Sequence, residues 1–244
     1  MKYAAGTDKG LVREINEDSY NIIPGSQEAP YVFIVADGMG GHNCGEIASS
    51  AAVEYISGYF TQNAGSFLNA GDRGLALKKL VEAANQEVWQ KSMESPETNG
   101  MGTTLTMAVI ADNIITVAHV GDSRLYLARS GNMRKVTDDH SYIEELVRKG
   151  SLTREEAENH PGKNIITRAI GSSPELEVDI LSLTMETDDM VILCTDGLTN
   201  MLCEGEIYET AGSAEPEAAC EQLIEAAKKH GGEDNVTVII IKCE

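Results

Sequence analysis

The sequence predicts an α+β fold, a central sandwich of two mainly antiparallel β-sheets flanked by α-helices. Two observations carry the prediction. Short, β-rich apolar runs fill residues 103–136, resume at 176–195 and close the chain at 236–242. Around them lie stretches whose apolar residues recur at three and four, the signature of helices with one buried stripe. At 244 residues, with no repeat, compositional break or Pro/Ser-rich linker, the chain reads as a single domain over 1–244.

Taken in order, Lys2 to Thr7 reads as an edge strand and Asp8-Lys9-Gly10 as a turn. Residues 12–20 follow, with Arg13, Glu14, Glu17 and Asp18 close together, either as a solvated turn or facing the next strand. Tyr31 to Ala36 is that strand, and it runs into Asp37-Gly38-Met39-Gly40-Gly41-His42. Ile47, Ala48, Ala51, Ala52, Tyr55, Ile56 and Tyr59 predict one helix, and Leu80, Val81, Ala84 and Val88 a second over about 75–89. No element is assigned to 63–74. Thr104 to Ile110, Ile114 to Val120, Ser123 to Ala128 and Met133 to Val136 read as one meander.

Residues 137–170 break from that pattern. Ser141-x-x-Glu144 and Thr153-x-x-Glu156 are capping boxes, which predict short helices near 142–149 and 154–159 in a helical flap or a plain surface insertion. Strands return at Leu176 to Leu183 and Met190 to Thr195, a helix from Pro216 to about Lys229, and a last strand from Val236 to Lys242.

The chemistry gathers where strands meet acidic turns. Asp37, Asp122 and Asp196 follow apolar runs, Asp234 precedes one, and four acids at four strand ends suggest one cluster of oxygen ligands. Glycines 38, 40 and 41 let the chain turn tightly and expose main-chain carbonyls. Nineteen basic against 39 acidic residues, a net charge of −20, argue against nucleic acid as a partner. An anionic substrate then needs a local attraction, with bound metal the obvious one. No stretch is long and apolar enough to cross a bilayer, and a cytoplasmic protein is expected. Cys44, Cys194, Cys203, Cys220 and Cys243 form no C-x-x-C pair and precede no C-x5-R phosphate loop. Cys194 and Cys243 read as small buried apolar residues.

Arg13-x-x-Asn16-Glu17-Asp18, Val35 to Gly41, Gly102-Thr103-Thr104, Val120 to Arg124, Asp139-His140-Ser141, Cys194 to Leu198 and Asp234-Asn235-Val236-Thr237 stand in one order along nearly the whole chain. That order resembles the metal-dependent protein phosphatases of the type 2C (PPM) family, in the form of its bacterial serine/threonine phosphatases. The resemblance implies hydrolysis of phosphoserine and phosphothreonine in proteins by water activated between two metals. Phosphorylated proteins would be its partners, including a cognate bacterial Ser/Thr kinase that it would oppose, and it would act as a monomer. Asp37 resembles the carboxylate bridging both metals, the Gly38 carbonyl a ligand of the second, and Asp196 and Asp234 ligands of the first. Glu17 resembles the acid that holds water on the second metal, with Asp18 supporting it, Asp122 a ligand of a third, weaker metal, and Arg13 the clamp on the substrate phosphate.

Elementary chemistry agrees with those roles. Carboxylates, a carbonyl and water are hard donors that select Mn2+ or Mg2+ over zinc. Two such ions roughly 4 Å apart lower the pKa of a bridging water and stabilise an in-line displacement. Arg13 offers a planar fork matched to two phosphate oxygens.

One departure stands out. Met39 occupies the position where many relatives carry a histidine proposed as general acid. His42 and His140 lie nearby in sequence, each with a structural reading beside the catalytic one. Three other functions stay open at this stage: a non-catalytic relative that keeps the fold, a phosphohydrolase of small metabolites, and a dedicated regulator of one switch protein.

Overall fold

The computed structural model of the chain describes residues 1–40, 44–158, 160–162 and 164–243, so His42 lies outside the described residues. Its strands are β1 (Lys2–Asp8), β2 (Asp18–Ile23), β3 (Tyr31–Met39), β4 (Gly102–Thr103), β5 (Leu105–Ala111), β6 (Ile114–Val120), β7 (Arg124–Arg129), β8 (Asn132–Lys135), β9 (Asp179–Thr184), β10 (Met190–Cys194) and β11 (Val236–Lys242). Helices are α1 (Gly45–Asn63), α2 (Ala70–Ser92), α3 (Tyr142–Arg148), α4 (Arg154–Glu158), α5 (Asp196–Thr199), α6 (Glu204–Ser213) and α7 (Pro216–Lys229). One sheet runs β1-β11-β10-β7-β8 and the other β2-β3-β5-β6-β9, with β4 beside β3. Every named strand pair is antiparallel.

Strand alternation explains why the runs are apolar on both sides. Phe33, Val35, Val117, Leu125, Val191, Leu193, Ile239 and Ile241 fill the layer between the sheets. Their neighbours in sequence face outward. Val32, Ile34, Ala36, Met107 and Val109 pack under α1 and α2, while Tyr126, Ile192, Val238 and Ile240 join α6 and α7 residues in the opposite outer layer. The result is the predicted α-β-β-α order, with two short helices between β8 and β9 where the flap was expected.

Alternation also places the chemistry. Asp37 continues the inward file of Phe33 and Val35, and Thr237 that of Ile239 and Ile241. The inter-sheet layer is therefore dry along most of its length and becomes polar at one rim. Asp18 stands directly opposite Asp37 in the β2–β3 register.

Several elements differ from expectation. Residues 103–136 are not one meander: β5 and β6 lie in one sheet, β7 and β8 in the other, and the chain changes sheets at Gly121-Asp122. Gly121 has φ +105, and a Cβ there would stand 2.6 Å from the Thr104 side chain, so only glycine takes this crossing. Strand β2 and helix α6 are additions. β2 has half-buried positions that blur the alternation, and α6 has two glycines and buries Ile207 and Ala211 alone. Helix α2 starts at Ala70 rather than 75, capped by Asn69, whose side chain accepts from the Gly71 N–H at 3.0 Å. β9 starts at Asp179, later than Leu176. Cys243 is half-buried just beyond β11 rather than enclosed, whereas Cys194 is fully buried. Among the described residues no helix is long and apolar enough to cross a membrane.

Residues 64–69, without an assignment from sequence, are held by a buried arginine. Arg73 is fully enclosed and donates to the carbonyls of Phe67 (2.6 Å), Leu68 (2.7 Å) and Ile114 (3.2 Å). Replacing it would leave those carbonyls without their partner inside the protein. Arg73→Met should lower unfolding stability by about 3 kcal/mol in urea titrations, given the cost of unsatisfied buried groups. Normal stability would show that the carbonyls find water instead.

Candidate active site

The rim of the sandwich collects five of the acids singled out in the sequence. Asp18 is buried, at 9% exposure, and its Oδ2 accepts from Thr195 Oγ1 at 2.9 Å and Thr237 Oγ1 at 2.7 Å. Those threonines come from β11 and the end of β10, so Asp18 ties one sheet to the other. The backbone of Asp37 is fixed by two threonines. Its N–H donates to Thr104 Oγ1 and its carbonyl accepts from Thr103 Oγ1, each at 2.9 Å. Asp196 begins α5, and Asn200 Nδ2 donates to its Oδ2 at 2.9 Å. Asp122, at 8% exposure, sits where the chain changes sheets. Asp234 stands two residues before β11, in the turn Gly232 to Asn235.

Burial, and after it mutual repulsion, raises the proton affinity of these carboxylates. Burial pushes Asp18 up to about 7 against the pull of its threonine bonds, with Asp196 and Asp234 adding repulsion. Burial likewise pushes Asp122 up to about 7, helped by Asp196 and Asp139. Asp37 rises well above the usual carboxylate range, by burial and then by repulsion from Asp18, Asp196, Asp122 and Asp234. Asp196 rises through burial and Asp234, and shares a hydrogen bond with Asp37. Two carboxylate oxygens, Asp18 Oδ1 and Asp122 Oδ1, are buried with no hydrogen-bond partner among the described residues.

These observations test whether divalent cations fit. Among the described residues no three Asp, Glu, His or Cys side chains close into a ready-made cage. Small hard cations do not need one, because they keep several waters and take one or two carboxylates each. Unpartnered buried oxygens in a cluster of mutually repelling carboxylates are the donor set such ions satisfy. Asp37, Asp196, Asp234, Asp122 and Asp18 all stand where they could take part.

Backbone fit confirms how tightly the glycines are placed. Gly38 pairs with Thr103, and its N–H donates to the Glu17 carbonyl at 3.1 Å. A Cβ on Gly38 would collide with the Gly45 carbonyl, and one on Gly197 with the Asn235 carbonyl. Glu17 Oε1 accepts from the Gly45 N–H at 3.1 Å, which caps the first turn of α1 as well as facing the site. Burial raises the Glu17 carboxyl, opposed by that N–H and by Arg13. Arg13 is exposed, and its Nη2 reaches Asp234 Oδ2 at 2.7 Å, so the expected phosphate clamp leans on an expected metal ligand.

The flap is fastened beside the acids. Its later strand-like segment bonds to β4 both ways, Thr103 N–H to the Ile170 carbonyl (2.9 Å) and Ile170 N–H to the Thr103 carbonyl (2.8 Å). Ser141 and Thr153 cap α3 and α4 as their sequence signatures predict. Asp139 takes Arg124 in a two-pronged pair and Lys135 at 3.0 Å, joining the Gly-Asp-Ser-Arg turn to the flap. A cavity of about 610 Å3 opens from Asp122 and Asp196 toward Ile143 and Arg154 of the flap.

His140 takes the structural role. Its Nδ1 accepts from the Gly121 N–H at 3.1 Å, and its Nε2 lies 3.2 Å from Asp179 Oδ2. Beside it, His119 escaped the sequence reading: it is fully buried, bonded to Thr106 Oγ1 at 2.9 Å and the Asp138 carbonyl at 3.0 Å, and burial pushes it down to about 4. Thr103, Thr104, Thr195, Thr237 and Asn235 also had no assigned roles. Their placement in strand-end motifs was visible, but what each one touches depends on the other sheet.

Comparison with known proteins agrees with this geometry. The family described as protein phosphatase 2C matches residues 6–230. A serine/threonine phosphatase stp of Listeria innocua is 40% identical over 97% of this chain and 93% of its own. The crystal structure of the serine/threonine phosphatase Stp1 of Staphylococcus aureus superposes with TM-score 0.92 at 31% identity, covering 99% of this chain and 94% of that one. The catalytic domain of the serine/threonine protein phosphatase PstP, solved in complex with two manganese ions, superposes with TM-score 0.84 at 34% identity, covering 98% and 96%. An acidic rim on a two-sheet sandwich and a family match over nine-tenths of the length lead to one assignment: the chain belongs to the protein phosphatase 2C family.

Proposed function

We propose that this protein is a metal-dependent serine/threonine protein phosphatase in which residues 1–244 work as one catalytic domain, releasing phosphate from phosphorylated proteins and opposing a bacterial Ser/Thr kinase. The observation that carries the proposal is the carboxylate cluster at the sandwich rim, with buried oxygens of Asp18 and Asp122 that find no partner among the described residues. Named relatives of similar length support the substrate class; the manganese-bound PstP domain supports Mn2+ as cofactor, and the hard oxygen donors suit Mg2+ as well.

Residue roles follow from placement. Asp37, Asp196, Asp234 and the Gly38 carbonyl would hold two ions, Glu17 with Asp18 would steady water beside them, and Asp122 would serve a third, weaker ion. Bound there, the ions supply positive charge that acidifies water and offsets charge on the phosphoryl oxygens. Asp18 positions rather than reacts, since its Oδ2 is committed to Thr195 and Thr237. Arg13 adds the fork that orients the phosphate for in-line attack. In a chain of net charge −20, such local positive charge is what admits an anionic substrate. Met39 has no proton to give and His140 is enclosed, so neither protonates the leaving alkoxide.

With Mn2+ present, the protein should release phosphate from a phosphothreonine peptide. A chelator should abolish turnover, and Asp196→Asn should reduce it at least a hundredfold, the scale of losing a charge-stabilising group. Full activity in chelator would remove the metal from the account; Mn2+ binding without peptide turnover would favour a small-metabolite substrate or a binding role.

A second prediction concerns stability without metal. Asp18 and Asp122 carry folded pKa values raised to about 7 over an unfolded value near 3.8. Their protonation favours the fold at low pH, and that stability is lost as pH rises through the folded value. His119, pushed down to about 4, acts oppositely below about pH 6.5. The chelated protein should therefore melt several degrees lower at pH 8 than at pH 6, with saturating Mn2+ removing most of the difference. A melting temperature that rises over that interval in chelator would contradict the cluster's electrostatics.

A further inference from the structure

The tip of the loop that carries Arg13 is exposed at Leu11, Val12, Arg13 and Glu14, with Ile15 half-buried at its return, so polar contacts do most to decide where the tip lies. Asn16 Nδ2 donates to Thr7 Oγ1 at 2.8 Å. Leu11 N–H donates to the Gly232 carbonyl and Gly10 N–H to Asp8 Oδ1, each at 2.8 Å. Three more contacts come from one side chain. Asn235 Nδ2 donates to the carbonyls of Lys9 (3.0 Å) and Ile15 (2.9 Å), and its Oδ1 accepts from the Glu17 N–H at 2.8 Å.

Asn235 thus grips both ends of the loop and the backbone of Glu17, and at 4% exposure it does so out of the solvent. Its own N–H donates to Asp234 Oδ1 at 2.8 Å, while Asp234 Oδ2 meets Arg13. A primary amide is the group this place requires. It gives two N–H donors and one acceptor in a plane, which no other side chain of that size supplies.

We propose that Asn235 is the positioning residue of the phosphate site: it sets the height and direction of Arg13 over the carboxylates and so governs substrate phosphate affinity without touching substrate. The proposal rests on the phosphatase reading for what Arg13 binds, and on the hydrogen bonds alone for how Arg13 is held. Asn235→Ala leaves two carbonyls and one N–H without their partner, and the loop relaxes. Asn235→Asp keeps shape and acceptor but loses both donors and sets a carboxylate against two carbonyls.

The test compares wild type, Asn235→Ala, Asn235→Asp, Arg13→Ala and the Asn235→Ala/Arg13→Ala double variant, all with saturating Mn2+. Three quantities are read: kcat and KM on a phosphothreonine peptide, calorimetric affinity for inorganic phosphate, and hydrogen exchange over residues 9–17. The Asn235 variants should exchange faster over 9–17, raise KM and weaken phosphate binding on the order of tenfold, and change kcat far less. In the Arg13→Ala background the Asn235 change should add little, because both act through one contact.

Equal, additive losses in the double variant would overturn the proposal, as would faster exchange with unchanged KM and phosphate affinity. Asn235→Asp keeps the test decisive if Asn235→Ala fails to fold. Wild-type protein that releases no phosphate would sink the phosphatase reading separately. Phosphate affinity and exchange would then still report whether Asn235 places Arg13.

Discussion

Repulsion among carboxylates at the end of a dry inter-sheet layer is the constraint around which the rest of this structure is arranged. Asp37, Asp18, Asp122 and Asp196 each carry a raised proton affinity in the absence of metal, and burial is the leading cause for all four. Such a cluster opposes folding unless protons or cations neutralise it. A fold that holds it must be strong elsewhere, and the apolar files on both faces of β3, β10 and β11 supply that strength.

The scaffold restrains Asp37 by its backbone and Asp18 and Asp196 by one carboxylate oxygen, whereas Asp234 engages both of its oxygens, with the Asn235 N–H and with Arg13. Thr103 and Thr104 fix the main chain of Asp37 on both sides without touching its carboxylate. Asp18 spends Oδ2 on two threonines of the facing sheet and leaves Oδ1 without a partner among the described residues. Gly38, Gly197 and Gly121 let main chain approach main chain where any Cβ would collide. Preorganisation of this kind lowers the reorganisation needed when charge develops on the phosphoryl group.

Much of this was legible in the sequence, for a physical reason. Strands buried on both faces read as continuous apolar runs, so an acid directly at the end of one is conspicuous, and Asp37, Asp196 and Asp234 announced themselves that way. Period-3.6 stripes likewise revealed α1, α2 and α7. What stayed hidden depends on partners distant in sequence. Asn235 is one polar residue in a turn until residues 9–17 fold over it, and Thr195 and Thr237 become a bridge only when Asp18 arrives from the other sheet. The change of sheet at Gly121 was missed because a hairpin and a crossing share the same Gly-Asp signal, and α6 because two glycines dilute its stripe. His119 sits inside an apolar strand, where a buried histidine and a ligand look alike in one dimension.

Counting protons tests the central claim most directly. Calorimetric titration of the chelator-stripped protein with Mn2+ near pH 6.5, in buffers of different ionisation enthalpy, measures how many protons leave as metal enters. Carboxylates raised to about 7 hold protons at that pH, so binding should release on the order of one to two, and fewer as pH rises through that value. Mn2+ binding with no proton release at pH 6.5 would mean that the acids are already ionised and that their mutual repulsion is not what the metal relieves.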